Sequence, residues 1–326
     1  MKDSPLSEVV RDRRFNEILA SIRKAVELGG AVTIGPKEIH YIRETFYQSI
    51  QLGERRLHRL AQIFLQELTS PAEIKTTFVV WGRCPKPGHS EILKGLVSIA
   101  MPDRELYNSP DSQFSNQHAP LCRRCGLKTN GISSFIAYAP DPIPRSGLLL
   151  LTTRIKTTSN LCYKVADMVF DIDRMFQRDK IRGRFSQMVT DVYGIKVIVK
   201  AEKEIWNVLD HLRNISGLTI EEEKDYVGPR KKKSGFEVYK GIAKGRQQLF
   251  ESQMQDQKML EMEESSLPAS HRTYKERQMA DRRKLGKEYV DLYKALTALF
   301  APPDQKFVEI GYIELGFTKK GLDDEF

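Results

Sequence analysis

The side chains of this chain that suit chemistry by type and spacing are two carboxylates and a set of cations. Asp191 opens the run 191–199 (DVYGIKVIV), whose second half is apolar and β-branched and predicts a strand. A carboxylate at the front of a strand is fixed by the sheet and is well placed to hold a divalent cation. Gly194 stands where backbone has to turn or approach a ligand closely. Further on, Leu249, Glu251, Gln253 and Gln255 alternate with period two and predict a strand with one polar face, the kind that lines a site. If these strands pair, Asp191 and Glu251 can bind Mg2+, or Glu251 can act as a general base.

Cations are spaced to meet them. The apolar run 148–153 predicts a buried strand that delivers Arg154 and Lys156 to its end. Thr158 or Ser159 caps the next helix, which carries Lys164. Three cations near a helix N-terminus form a natural phosphate site. Downstream, Lys231, Lys232 and Lys233 precede Phe236, and cations beside an aromatic ring suit a stacked base with its phosphates. Phe236 as an ordinary core residue is the competing reading. His271 and Tyr274 are expected to pack back on the sheet, and His40 and His58 to serve on helix surfaces or caps.

The elements that must position these groups follow from periodicity. Residues 6–29 and 36–68 read as amphipathic helices, the first stopped at Gly29 and Gly30, the second opened by Pro36. Residues 78–81 are strand-like. Cys84 and His89 follow, and later Cys122 and Cys125 with Gly126 behind them. Two cysteines two residues apart and followed by glycine form a knuckle that can aim both thiolates at one tetrahedral ion, with Cys84 and His89, or Cys84 and His118, completing a structural zinc site; a redox pair and free surface cysteines are the competing readings. The polar stretch 107–120 reads as loop, and residues 141–145 as a boundary. Residues 171–184 read as helical, 202–213 as a helix covering the sheet, and 287–300 and 307–315 as a closing helix and strand. The expected fold is α/β (α+β), a mixed sheet flanked by helices, divided as an N-terminal helical region 1–76, a Cys/His insert 77–147 and a main domain 148–326.

Composition narrows the class. The 326 residues are 29% charged and 40% apolar, with a formal charge of +9. This is an ordinary water-soluble mix whose excess of cations suits an anionic partner, nucleotide phosphates or nucleic acid. No apolar run reaches membrane-spanning length and no signal-peptide core opens the chain, so a cytoplasmic location is expected. Four cysteines in this length fit a reducing compartment.

Residues 154–275, taken together, resemble the synthetase domain of the RelA/SpoT family, enzymes of guanosine tetraphosphate metabolism with a nucleotidyltransferase-like fold that move pyrophosphate from ATP to the 3′-hydroxyl of GDP or GTP. Arg154, Lys156 and Lys164 resemble its Arg-x-Lys…Lys run for ATP, and the strand from Asp191 resembles its metal-binding strand. Lys231–Lys233 with Ser234 and Phe236 resemble the segment ending in Asn-Gly-Tyr, whose ring stacks on guanine. Glu251 and Gln253 resemble Glu-x-Gln-x-Arg-Thr, in which Glu is the catalytic carboxylate. Met259, Glu264 and residues 271–275 resemble the helix and His-x-x-Tyr-Lys that follow.

The resemblance implies Mg2+ on Asp191 and Glu251, ATP on Arg154, Lys156, Lys164 and Lys196, and the acceptor on Lys231, Lys232, Lys233, Phe236, Lys240 and Gln253. This chain has Ser234 for Asn, Phe236 for Tyr, Lys196 for the strand Arg, and Gln255 for the Arg of Glu-x-Gln-x-Arg. Stacking needs only the ring, but Lys or Gln cannot copy a bidentate Arg fork on phosphate. The donor half is thus better kept than the acceptor half. Some toxin-like relatives modify the 3′ end of tRNA, which extends the possible acceptors to tRNA, and a non-catalytic nucleotide- or RNA-binding protein of the same fold is the rival class.

Overall fold

A computed structural model describes residues 12–69, 73–83, 92–101, 121–127, 130–170, 191–231, 235–245, 248–265, 279–280, 282–300 and 312–318. In chain order these form α1 (Arg13–Leu28), β1 (Gly30–Ile34), α2 (Pro36–Leu68), β2 (Glu73–Arg83), β3 (Ile92–Met101), β4 (Asn130–Asp141), β5 (Leu148–Ile155) and α3 (Thr158–Val169). They continue with β6 (Tyr193–Val199), α4 (Glu202–Asn214), β7 (Leu218–Asp225), β8 (Tyr239–Gly245), β9 (Gln248–Asp256), α5 (Gln257–Ser265), α6 (Gly286–Leu299) and β10 (Ile313–Phe317).

The expected mixed sheet flanked by helices is present. Eight strands run in the order β3-β2-β4-β5-β6-β9-β8-β7, and β1 pairs with β10 in a separate ribbon. Every pair in the large sheet is antiparallel except β6 with β9. A parallel neighbour needs a long crossover, and here the chain between β6 and β9 supplies α4, β7 and β8. One sheet runs across the expected limit at 147, since β4 pairs with β5. β3 and β4 had no sequence expectation. The last strand lies at Ile313–Phe317, later than 307–315, and pairs with β1 rather than with the main sheet.

Alternation divides the sheet into a core face and a polar face. Ile136 and Tyr138 of β4, Leu151 of β5, Tyr193, Ile195, Val197 and Val199 of β6, and Phe250 and Met254 of β9 belong to the core. Helices α2 and α4 pack on that side. Helix α2 buries Ile39, Ile42, Phe46, Ile50, Leu57, Phe64 and Leu68 at helical spacing. Its glycine, Gly53, lies against Tyr193, where a Cβ would come within 2.0 Å of the ring. Tyr193 Oη donates to Ser49 O at 3.2 Å, and Gln248 Nε2 donates to Gly53 O at 3.2 Å. One helix turn is thereby fastened to the starts of both β6 and β9.

His58 is buried beside Glu54 at 3.4 Å, not on the helix surface expected of it, because α2 is covered on that side. Helix α3 is capped by Thr157, whose hydroxyl accepts from Asn160 N, one residue before the expected caps. The α3 side chain Asp167 accepts from Arg282 Nε and Nη2 at 2.9 and 2.8 Å and from Tyr289 Oη at 2.6 Å, and so ties α3 to the C-terminal helix region.

Candidate active site

β5, β6 and β9 lie side by side, and their register sets the site. Arg154 pairs with Gly194, and Gly194 pairs with Glu251. Partners across a ladder share a face, so guanidinium and carboxylate stand on the polar side with only a glycine between them. Arg154 Nη2 donates to Glu251 Oε2 across Gly194. A Cβ at position 194 would meet Arg154 Nε at 2.9 Å and Cγ at 3.2 Å. The close approach expected at Gly194 is that of the Arg154 side chain.

Glu251 is 2% exposed. Lys240 Nζ of β8 pairs with its other oxygen, Oε1, and Gln253 Nε2 donates to Oε2 at 3.2 Å. Burial pushes the Glu251 carboxyl up, but Lys240 and Arg154 outweigh it and hold the group below the usual carboxylate range. The charge of Asp191 also acts on Glu251, opposing its ionisation.

Asp191 lies two residues ahead of β6, at the end of the sheet reached by β5. Lys156 Nζ donates to Asp191 Oδ2 at 2.6 Å, and Lys164 Nζ of α3 donates to Oδ1 at 2.5 Å. The backbone helps: Lys156 N donates to Val192 O at 2.7 Å, which carries the β5–β6 ladder past the strand ends. Burial raises the Asp191 carboxyl, and the two ammonium groups pull it well below the ordinary range. Burial lowers Lys156 to about 8, against the opposing pull of Asp191.

Asp191 and Glu251 therefore sit near the same strand start, each gripped by its own cations. The grouping expected of Arg154, Lys156 and Lys164 is divided: the lysines serve Asp191 and the arginine serves Glu251. Four cations (Arg154, Lys156, Lys164, Lys240) face two carboxylates. Such a site carries excess positive charge and suits a polyanion.

Lys196 lies two residues further along β6, opposite Gln253, and its Nζ donates to Glu263 Oε2 of α5 at 3.0 Å. Nothing in the local sequence marks Glu263 as a partner for position 196. Lys231 is exposed, 3.8 Å from Glu237 Oε1, and Phe236 is half-buried. Gln255 is fully buried and donates to Glu237 O at 2.7 Å. Lys232, Lys233, Ser234, His271, Tyr274 and the Glu264 side chain lie outside the described residues.

The cysteine pair forms a tight turn. Gly126 N donates to Cys122 O at 2.8 Å and Cys122 N donates to Leu127 O at 2.9 Å. Cys84, His89 and His118, the other expected ligands, lie outside the described residues, as do 107–120 and 171–184. Among the described residues no group of three or more His, Cys, Asp or Glu side chains is arranged to hold a metal ion, and no helix is long and apolar enough to cross a membrane.

Comparison with known proteins bears on the same region. Residues 153–279 match the family model described as "Region found in RelA / SpoT proteins". No curated protein matches the sequence. Among solved structures, small alarmone synthetase 1 from Bacillus subtilis, bound to its product pppGpp, is similar at 16% identity and a TM-score of 0.27, over 47% of this chain and 73% of that one. Small alarmone synthetase 2 from the same organism is similar at 17% identity and 0.27, over 45% and 72%. A GTP pyrophosphokinase family protein from Streptococcus pneumoniae is similar at 16% and 0.26, over 50% and 72%. Residues 153–279 thus match the region found in RelA/SpoT proteins, and both carboxylates with all their cations, from Arg154 to Glu251, fall inside the match.

Proposed function

We propose that this chain transfers pyrophosphate from ATP to the ribose 3′-hydroxyl of a guanosine nucleotide. The observation that carries the reading is the pair of carboxylate–cation clusters within the region that matches RelA/SpoT proteins, with four cations against two acids. In this reading Arg154, Lys156, Lys164 and Lys196 bind the triphosphate, while Lys240, Gln253, Phe236 and Lys231, Lys232 and Lys233 bind the acceptor. Asp191 and Glu251 offer the hard oxygen donors that Mg2+ takes, one or two carboxylates being completed by substrate phosphates. Bound there, the ion would neutralise phosphate charge.

The acceptor's O–H proton passes to Glu251 as the oxygen bonds to the β-phosphorus. The bond from that phosphorus to the α-bridging oxygen breaks, and AMP leaves. Glu251 is a weak base while Arg154 and Lys240 hold both its oxygens. Phosphate oxygens from the two substrates compete for those cations, and as they are drawn off the carboxylate regains basicity. Placement and charge neutralisation supply most of the rate in phosphoryl chemistry.

A second acceptor class rests on Gln255. Its amide is committed to the backbone at Glu237, so it offers no fork to an acceptor phosphate. That favours an acceptor held mainly through its terminal ribose, such as the 3′ end of tRNA.

Incubation of the purified protein with γ-labelled ATP and either GDP, GTP or bulk tRNA tests all of this. Label is expected on the guanosine nucleotide, with AMP formed in equal amount. Label on RNA alone replaces the acceptor, and label on none of the three overturns the transfer.

A further inference from the structure

We infer that Phe135 is the stacking surface for the purine ring of the donor nucleotide, an inference that rests on the ATP-dependent transfer proposed above. Phe135 stands on β4, outside the family-matched region 153–279. It is the register partner of Arg154. Ile136 and Tyr138 of the same strand both reach the core cluster, so by alternation Phe135 faces the polar side with Arg154.

The row across four adjacent strands then reads Phe135, Arg154, Gly194, Glu251. Three inter-strand steps of about 4.8 Å separate its ends, roughly 14 Å. An aromatic ring at one end, a guanidinium in the middle and the reactive carboxylate at the other match the order of base, phosphates and reaction centre in a nucleoside triphosphate.

Exposure makes the ring unusual. Phe135 is 40% exposed although β4 is flanked by β2 on one side and β5 on the other. A lone exposed apolar side chain is common on loops and edges, but this ring lies flat country away from either sheet edge and beside a cation that the substrate must meet. Rings in such positions stack on bases, and a neighbouring cation strengthens the contact. The side of the row also decides which base. Lys240 approaches Glu251 from β8, on the far flank from Phe135. The ring therefore serves the nucleotide whose phosphates meet Arg154, the donor.

Equilibrium titration calorimetry with ATP and with inorganic tripolyphosphate, both with Mg2+, tests this on the full chain. In the parent, ATP should bind more tightly than tripolyphosphate. Phe135→Ala and Phe135→Leu should weaken ATP by about tenfold and leave tripolyphosphate unchanged, because stacking alone is lost. Phe135→Trp should keep ATP affinity, and its added indole fluorescence should be quenched by ATP but not by tripolyphosphate. Thermal unfolding confirms that each variant is folded. If Ala and Leu variants bind ATP within about twofold of the parent, the stacking role is overturned while the transfer reading stands. If the parent binds neither ligand, both fall.

Discussion

Replacing Glu251 by Gln should abolish turnover while leaving the fold nearly untouched, and the structure says why. Removing one partner of a buried ion pair ordinarily costs about 3–5 kcal/mol, because the other charge is stranded. Glu251 is 2% exposed, but its partners are not trapped with it: Arg154 is 46% exposed and Lys240 35%. Both can turn to water when the carboxylate goes. The loss should then be about 1 kcal/mol or less, near that of a surface pair. At about 2–4 °C per kcal/mol for a large domain, the melting temperature should move only a few degrees.

Asp191→Asn provides the contrast. Its lysines are 15% and 27% exposed, so removing the charge strands them more fully, and about 2 kcal/mol or more is expected. Loss of a general base costs about 10²–10⁴ in rate. Label transfer from γ-labelled ATP, read beside thermal unfolding of the same samples, measures both effects. Glu251→Gln turning over within about tenfold of the parent would refute its role as base. A fall in melting temperature larger than that of Asp191→Asn would refute the argument from cation exposure.

Three further outcomes follow from the packing. Gly53→Ala places a methyl 2.0 Å from the buried Tyr193 ring, so overpacking should exceed the helix-propensity gain and destabilise the chain by about 1–3 kcal/mol, seen as a lower urea midpoint. Burial pushes the Cys162 thiol up to about 12, so iodoacetamide at pH 8 should modify Cys125 and spare Cys162 until the chain unfolds, as peptide mass mapping will show. Between about 9 and 12 the unfolded chain gives up a Cys162 proton that the folded chain keeps. This contribution is complete below the unfolded value and is lost as pH rises, so the stability difference between parent and Cys162→Ala should shrink for the parent from pH 8 to pH 10.

Much of the fold was legible locally. Helix α2 announced itself by Pro36 and apolar residues at helical spacing, β6 by its β-branched run, and β9 by its alternation. Each of these signals is carried by side chains within a few positions of one another. β3 and β4 were missed. Their place is set by pairing with β2 and β5, and the segment between them carries cysteines and polar loop-type residues. The late strand β10 was misplaced for a related reason: its partner is β1, near the other end of the described chain.

The sequence by itself determined the inventory of the site: two carboxylates, the cations that suit phosphate, and the strands that bear them. Only the tertiary structure decided who meets whom. Arg154 and Glu251 are 97 residues apart and touch because β6 lies between β5 and β9 and offers a glycine at the crossing. Lys156 and Lys164 go to Asp191 because the ladder closes at Val192 and α3 folds back beside it. Strand order and register are long-range choices, made by burying one face of the sheet's central strands against α2 and α4, and no window of neighbouring residues contains them.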